Sequence, residues 1–221
     1  MLSEKKGLFI VFEGIDGCGK STQAELFIDY LYNLNKYQHV LRTREPYQQK
    51  DIRDILKQEK DPYIKAEKLL ELFVEDRREH VKKVIVPNLK AGVDVVCDRY
   101  WYSTAAYQSA QGIPIEKIVK MHTRRKNFSV RNYEFPVPDL TYFIDSSPEI
   151  ASERINTRAS SEKFDNKEFQ EKIRQNYLLL LKMLPNHIII KITDDGKKEI
   201  KDIADEIKGR FDAYYSHLFA K

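Results

Sequence analysis

The sequence predicts an α/β fold with a five-stranded parallel β-sheet flanked by helices. Two patterns support this prediction. Short runs of β-branched and aromatic residues alternate with longer amphipathic segments, and glycine-rich or charged residues directly follow several of the short runs. Such alternation is typical of parallel strands that are joined by crossover helices. The predicted strands span residues 8–12, 40–43, 93–97, 140–144 and 188–192.

Helical patterns lie between these strands. The first is the clearest, because Ala24, Phe27 and Leu31 recur at spacings of three and four residues. A long helix is predicted over residues 66–86, ending before Pro87 because proline lacks a backbone N–H donor. Further helices are predicted over residues 148–156, 167–184 and 197–218.

Length and composition indicate one globular domain over residues 1–221. Hydrophobic residues make up 42% and charged residues 33% of the chain, which excludes a disordered protein. The formal net charge of +4 is mild, so it suits small anions and makes a nucleic-acid partner unlikely on composition alone. Two cysteines, Cys18 and Cys97, are too few for a disulfide scaffold or a zinc site of four thiolates.

Neither a leader nor a membrane segment is expected. The first apolar run, residues 8–12, stops at Glu13 and is too short for the core of a signal peptide. Nothing in the sequence approaches the ~18 consecutive apolar residues that a membrane-spanning helix needs. The sequence therefore predicts a soluble cytoplasmic protein that does not associate with membranes.

The strongest chemical signal is a P-loop with the spacing GxxxxGK[ST], placed between the first strand and the first helix. It consists of Gly14, Ile15, Asp16, Gly17, Cys18, Gly19, Lys20 and Ser21. Glycines let backbone N–H groups turn inward around phosphate oxygens, and the helix N-terminus adds a positive partial charge. Lys20 supplies charge for the β- and γ-phosphates, and the Ser21 hydroxyl is a ligand for Mg²⁺. The alternative is a loop with a structural role only.

Charged residues also follow two other predicted strands. Asp98 and Arg99 come after the third strand, and Arg44 comes after the second. Because the carboxyl ends of parallel strands meet at one edge, these side chains should share a crevice with the P-loop. Asp98 is interpreted as a carboxylate near Mg²⁺ and Arg99 as a guanidinium on a phosphate. The alternatives are a solvated strand end for Asp98 and Arg99 and a surface ion pair for Arg44.

Three further features have both a functional and a structural interpretation. Phe73 and Arg77 share one helix face and could grip a base together, although core packing and a solvated charge explain such a pair more simply. Arg154, Arg158 and Lys163 lie in a basic segment that is either a lid over the transferring group or a solvated face. Basic residues 124–131 are interpreted as solvated surface rather than an RNA contact, because aromatic residues are not regularly interleaved there.

Taken together, these residues resemble the thymidylate kinase family, the P-loop enzymes that phosphorylate dTMP with ATP. The matching segments occur in family order across residues 7 to about 195, so the resemblance covers most of the chain. They are residues 12–23, Arg44-Glu45-Pro46, Leu72-Phe73, Asp76-Arg77, Asp98-Arg99-Tyr100, Ser103, Ala106-Tyr107-Gln108, residues 138–141 and residues 154–165. The P-loop is shared by many kinases, whereas the stretch from Asp98 to Gln108 combined with Phe73 and Arg77 is specific.

The resemblance implies a P-loop kinase fold, a lid over about residues 154–165, ATP as phosphoryl donor, Mg²⁺ and a homodimer. For the acceptor, it implies that Asp16 engages the 3′-hydroxyl of dTMP and that Arg44 and Arg99 hold its phosphate. The residues that it implies around the sugar and base are Phe73 stacked on thymine, Arg77 bonded to the base, Tyr107 crowding the 2′ position, and Ser103 and Gln108 near the base.

For the donor, the resemblance implies nucleotide contacts from the P-loop through Thr22. Some family members carry an arginine where this chain has Gly17, and the others take their transition-state arginines from the lid. Arg154 and Arg158 are thereby implied to contact adenine and phosphate. The implied catalytic residues are Lys20, Asp16, Arg99 and Arg158.

The chain also departs from the family pattern. Tyr47 follows Arg-Glu-Pro and Ser109 follows Ala-Tyr-Gln, where glycine is frequent in the family, and the segment of residues 124–133 is longer than in familiar members. Two other functions stay open at this point. One is a deoxynucleoside kinase, whose acceptor has no phosphate and against which Arg44 and Arg99 argue, or another P-loop nucleotide kinase with a different acceptor. The other is a non-catalytic regulator, which would bind ATP without releasing ADP.

Overall fold

The five predicted strands form one parallel sheet. The computed structural model describes residues 7–34, 37–123, 135–155, 164 and 166–219, with the side chains of 216–219 left aside. The strands are β1 (Phe9–Glu13), β2 (Val40–Arg44), β3 (Asp94–Asp98), β4 (Leu140–Ser146) and β5 (Ile189–Asp194). Their order in the sheet is β2-β3-β1-β4-β5, and all neighbours are parallel. The predicted α/β class is therefore confirmed.

Helices cover the sheet and connect its strands. They are α1 (Lys20–Leu34), α2 (Lys50–Gln58), α3 (Ala66–His80), α4 (Val86–Lys90), α5 (Trp101–Ala110), α6 (Ile115–Thr123), α7 (Pro148–Ile155), α8 (Lys167–Met183) and α9 (Ile200–Phe219). Helices α2, α5 and α6 are not among the helices predicted from the sequence. Helix α5 is buried on nearly every side, so it lacks the amphipathic period that reveals a surface helix. Within the described ranges, no helix has the length and apolar character that crossing a membrane requires.

The predicted end of the long helix at Pro87 is wrong. Residues Val81–Ile85 form a π-helical turn between α3 and α4, and Pro87 lies in the first turn of α4. At that position the missing N–H is tolerated, because the first turn of a helix does not use it. The Asn88 side chain donates a hydrogen bond to the Val84 carbonyl at 2.8 Å, which satisfies one of the displaced backbone groups. The helical path consequently continues to Lys90.

The central strand β1 sits in the core and ends at the P-loop. Each of its five residues is buried. The Phe12 ring packs against Phe27 of α1 and Tyr142 of β4 at centroid distances of 5.7 and 5.2 Å. Phe27 also contacts Phe211 of α9 edge to face at 5.0 Å, which packs α1 against α9. The strand and helix on either side of the P-loop are thus held by one aromatic cluster.

The strand register brings the predicted chemical residues to one edge. Phe12 of β1 lies opposite Asp98 of β3, and Asp98 lies opposite Arg44 of β2. The P-loop leaves β1 two residues after Phe12, at the same edge. This arrangement confirms that the P-loop, Arg44 and Asp98 share the crevice at the carboxyl ends of the strands.

Candidate active site

The P-loop depends on its glycines for its shape. Gly17 and Gly19 have φ angles of +81° and +88°, in the left-handed region that glycine adopts readily. A Cβ atom at Gly17 would lie 2.3 Å from the carbonyl oxygen of Ala151, so no other residue fits there without displacing backbone. Lys20 Nζ donates to the Ile15 carbonyl at 3.1 Å and is only 6% exposed. The lysine charge is therefore held against the loop.

Two oxygen-bearing side chains, one at the end of the P-loop and one at the end of β3, fit a Mg²⁺ site. Ser21 Oγ donates to Asp98 Oδ2 at 2.5 Å, and Asp98 Oδ1 is buried without a hydrogen-bond partner in the described part of the chain. A buried carboxylate oxygen without a partner is a position that a cation would satisfy. The described residues hold no group of three or more His, Cys, Asp or Glu side chains that could bind a metal ion by themselves. Mg²⁺ here would take its remaining ligands from phosphates and water, as is common for this ion.

A cleft that opens to solvent, with an empty volume of about 650 Å³ including that open space, lies next to the P-loop. The structure brings together in its wall every residue that the resemblance implies for the acceptor: Asp16, Arg44, Phe73, Arg77, Arg99, Ser103, Tyr107 and Gln108. These residues come from the P-loop, the end of β2, α3 and the region from β3 to α5, so the fold alone unites them.

Arg99 holds an uncommon backbone conformation at the centre of this cleft. Its φ of +72° lies in the left-handed region, which costs a residue with a Cβ on the order of 1–3 kcal/mol. Its backbone N–H donates to the Phe12 carbonyl at 2.9 Å. Its guanidinium donates to Asp16 at 2.6 Å and to the Ser103 and Tyr107 hydroxyls at 2.9 and 3.0 Å. These contacts hold both the strained backbone and the direction of the side chain.

The Asp16 carboxylate is kept ionised by its neighbours. Burial raises the pKa of Asp16, but the charges of Arg99 and Lys20 lower it by more than burial raises it. The pKa of Asp16 is therefore well below the usual range. The Tyr107 hydroxyl donates to the second carboxylate oxygen at 2.8 Å. An ionised carboxylate only accepts hydrogen bonds, so Asp16 is suited to a hydroxyl group on a ligand.

Glu13 and Tyr177 are buried polar residues to which the sequence analysis assigned no role. Glu13 ends β1 and accepts hydrogen bonds from the backbone N–H of Tyr100 at 2.7 Å and from the hydroxyls of Ser103 and Tyr177 at 2.5 and 2.8 Å. Burial raises the pKa of Glu13, and these donors oppose that shift. Glu13 thus ties the central strand to the start of α5. Its position directly after four apolar strand residues was the available signal.

Arg77 is enclosed on several sides, so the simpler sequence interpretation of a solvated charge is wrong. The residue is 1% exposed. Its Nε donates to Glu45 at 2.7 Å, its Nη2 to the Thr104 hydroxyl at 2.9 Å, and its Nη1 bonds His122 Nε2 at 2.9 Å. Phe73, one turn earlier on α3, is half-buried in the same wall. Arg77 therefore presents a fixed guanidinium to the cleft.

The neighbouring residues Arg44 and Glu45 lie in different surroundings: Arg44 faces the cleft and Glu45 is buried in the core. Glu45 is buried and pairs with Arg77 and with His80 Nδ1, at 3.1 Å from the latter. Arg44 is exposed, lines the cleft and makes no ion pair with another described residue, which argues against the surface ion pair considered from sequence. Tyr47, one departure from the family pattern, stacks on His80 at 4.7 Å and is not among the described residues that line the cleft.

Asp76, part of the family-like segment of α3, supports the loop that leads into α2. Its carboxylate accepts from the backbone N–H groups of Tyr47, Gln48 and Gln49, the last two at 2.8 and 3.0 Å. Gln49 precedes α2 and makes no side-chain cap of its own, and Asp76 instead fixes the backbone of the three residues that lead into the helix. Asp76 therefore has a structural role behind the cleft.

The predicted lid is described only at its two ends. Arg154 lies in the last turn of α7 and pairs with Asp194 at 2.6 Å, so the structure does not place it in the cleft. Phe164 lines the cleft and packs edge to face on the Tyr107 ring at 5.4 Å. Arg158, Lys163 and the basic residues 124–131 lie outside the described residues.

His122, behind Arg77 in the cleft wall, should make the unfolding free energy of the protein sensitive to acid. Burial and the neighbouring Arg77 lower the pKa of His122 from 6.5 to about 3. Because the unfolded chain binds this proton below about pH 6.5 and the folded protein does not, stability is lost as the pH falls through the window from 6.5 to 3. His122→Gln keeps an acceptor for Arg77 but does not titrate. Between pH 7 and 4.5, we expect this variant to lose about 2 kcal/mol less unfolding free energy than the wild type.

Urea unfolding at the two pH values measures this difference. Exposed His39 offers the matched control, His39→Gln, which should lose as much stability on acidification as the wild type. Equal acid losses for H122Q and the wild type would contradict a neutral, buried His122.

Comparison with known proteins agrees with this geometry. The family model described as thymidylate kinase matches residues 12–207. A probable thymidylate kinase of Pyrococcus horikoshii is 38% identical over 209 residues, covering 91% of this chain and 94% of the relative. A thymidylate kinase of Leptospira interrogans is 36% identical over 207 residues, covering 93% and 94%. The crystal structure of thymidylate kinase from Ehrlichia chaffeensis superimposes with a TM-score of 0.67 at 28% identity, covering 94% of this chain and 99% of that one. The chain belongs to the thymidylate kinase family.

Proposed function

We propose that this chain catalyses the ATP-dependent phosphorylation of dTMP to dTDP. The observation that carries the proposal is the meeting of a P-loop with an adjacent cleft in which Arg44 and Arg99 lie. Two cations in a cleft next to a triphosphate-binding loop suit an acceptor that itself carries a phosphate. Family membership supports dTMP as that acceptor.

The reaction requires positioning and charge stabilisation rather than a protein nucleophile. A phosphate oxygen of dTMP attacks the γ-phosphorus of ATP, a new P–O bond forms, and the bond from the γ-phosphorus to the β–γ bridging oxygen breaks to release ADP. Backbone N–H groups of Gly14 to Thr22 hold the donor phosphates, and Lys20 and Arg99 spread the charge of the transferring group. Arg154 and Arg158 are proposed to complete this charge stabilisation. Ser21 and Asp98 would hold Mg²⁺, which neutralises charge on the β- and γ-phosphates when bound.

Each wall of the cleft is assigned one part of dTMP. Arg44 and Arg99 take the phosphate, and the ionised Asp16 accepts a hydrogen bond from the 3′-hydroxyl. The Tyr107 ring, backed by Phe164, leaves little room for a 2′-hydroxyl. The residues assigned to the base are Phe73 for stacking and Arg77, Ser103 and Gln108 for its polar edge.

The two alternative functions make different demands on the site. A deoxynucleoside kinase would leave the exposed Arg44 guanidinium without a phosphate to bind, since its acceptor is neutral. A non-catalytic regulator would have no use for a cleft with two arginines beside the P-loop. The homodimer implied by the resemblance and the cytoplasmic location also stay predictions.

A panel of acceptors tests the proposed reaction. We expect ADP release from ATP and Mg²⁺ with dTMP, weaker release with dUMP, and poor release with AMP or GMP, because a site built around one base edge leaves buried groups unpaired with another. A coupled ADP-release assay with thymidine as a further acceptor measures this. Preference for a purine refutes the base assignment, preference for thymidine favours the deoxynucleoside kinase, and ATP binding without turnover favours the regulator.

Removing a positive charge from the place where the two nucleotides meet should abolish most turnover. We expect Lys20→Ala and Arg99→Ala each to lower kcat on the order of a hundred- to a thousand-fold, since each removes a preorganised donor to the transferring group. Circular dichroism verifies that both variants fold. Lys57→Ala removes an exposed lysine of α2 and should retain wild-type kcat. Wild-type rates in either Lys20→Ala or Arg99→Ala would exclude this mechanism.

A further inference from the structure

A chain of two glutamines runs from the cleft wall to a backbone carbonyl behind it. Gln108 lines the cleft and is fully buried, and its Nε2 donates to Gln111 Oε1 at 3.1 Å. Gln111 Nε2 in turn donates to the carbonyl oxygen of Pro62, in the connection between α2 and α3. The backbone of Gln111 is fixed as well, because its N–H caps α5 by donating to the Tyr107 carbonyl at 3.1 Å.

The carbonyl at the end of this chain decides the orientation of both side-chain amides. A carbonyl oxygen only accepts hydrogen bonds, so the end of Gln111 that faces Pro62 must be its NH₂ group. The Oε1 atom of Gln111 therefore faces Gln108, and Gln108 must donate a hydrogen bond to it from its own NH₂ group. Reversing Gln108 alone would set two amide oxygens against each other inside the protein, where an unmade hydrogen bond is costly.

This orientation leaves Gln108 with one unused acceptor. Its Oε1 points away from Gln111, is shielded from solvent and has no hydrogen-bond partner among the described residues. Such an atom in a residue that lines a ligand cleft is an acceptor that an N–H donor of the ligand would satisfy. Arg77, in the same wall, has only N–H donors to offer. The wall therefore combines one fixed acceptor with one fixed donor.

Resting on the proposed function, we infer that Gln111 is a positioning residue that selects the acceptor base by locking the amide of Gln108. With the lock in place, Gln108 offers an oxygen and accepts an N–H donor, which thymine and uracil carry at N3. Cytosine has no hydrogen at N3, so this nitrogen is an acceptor. Binding of cytosine therefore requires the Gln108 amide to reverse, which breaks the hydrogen bonds that link Gln108 through Gln111 to Pro62. Gln111 itself does not contact the nucleotide in this arrangement.

The test compares dCMP with dTMP in variants of Gln111. Gln111→Met and Gln111→Ala remove the lock, so we expect the ratio of kcat/KM for dCMP to that for dTMP to rise about tenfold or more, through KM rather than kcat. Gln111→Glu keeps an oxygen facing Gln108 and, protonated in its buried position, a donor facing Pro62, so its ratio should stay within about twofold of the wild type. Because Arg77 is present in all variants, any preference of Arg77 for one of the two bases affects every ratio equally and cancels from the comparison.

Gln175→Met supplies the matched control, since Gln175 is exposed on α8 and bonds only to Glu171 among the described residues. A wild-type ratio of kcat/KM for dCMP to dTMP in a folded Gln111→Met or Gln111→Ala protein overturns the inference. A raised ratio in Gln111→Glu overturns it as well, and this variant can be measured even if both others fail to fold. Absence of dTMP turnover in the wild-type protein would instead refute the proposed function.

Discussion

The contact between Arg99 and Asp16 is the constraint on which the site depends. It joins the residue that follows β3 to the P-loop that follows β1, and it places a cation at the boundary between the P-loop and the cleft. The left-handed backbone of Arg99 is what allows this direction, and Ser103 and Tyr107 hold the guanidinium from α5. Charge, strain and packing therefore act on a single side chain.

Behind the residues that face the cleft lies a set of buried polar residues that fix them. Glu13 ties β1 to the start of α5, Glu45 and His122 hold Arg77, and Gln111 holds Gln108. Each of these contacts is between groups far from solvent, where losing one partner leaves the other unsatisfied. The shape of the cleft is consequently set before a ligand enters it.

The sequence predicts more of the site than of the layer that supports it. The P-loop, Asp98 and Arg44 are readable because their spacing, or their place after an apolar run, has a direct chemical meaning. Helix α5 was not predicted because burial on nearly every side removes the amphipathic period by which a helix is recognised in a sequence. The long helix continues past Pro87 because a π-helical turn precedes it, and no residue pattern announces such a turn. Partners such as Gln111 and Pro62 are distant in the chain, so only the fold brings them together.

The proposed reaction requires Arg44 and Arg99 to bind the phosphate of dTMP together beside the P-loop. A crystal structure of the protein with dTMP and a non-hydrolysable ATP analogue would show whether they do. We expect guanidinium nitrogens of both arginines within about 3 Å of the dTMP phosphate oxygens, a hydrogen-bond distance. A dTMP phosphate bound beyond the reach of both arginines would contradict this expectation.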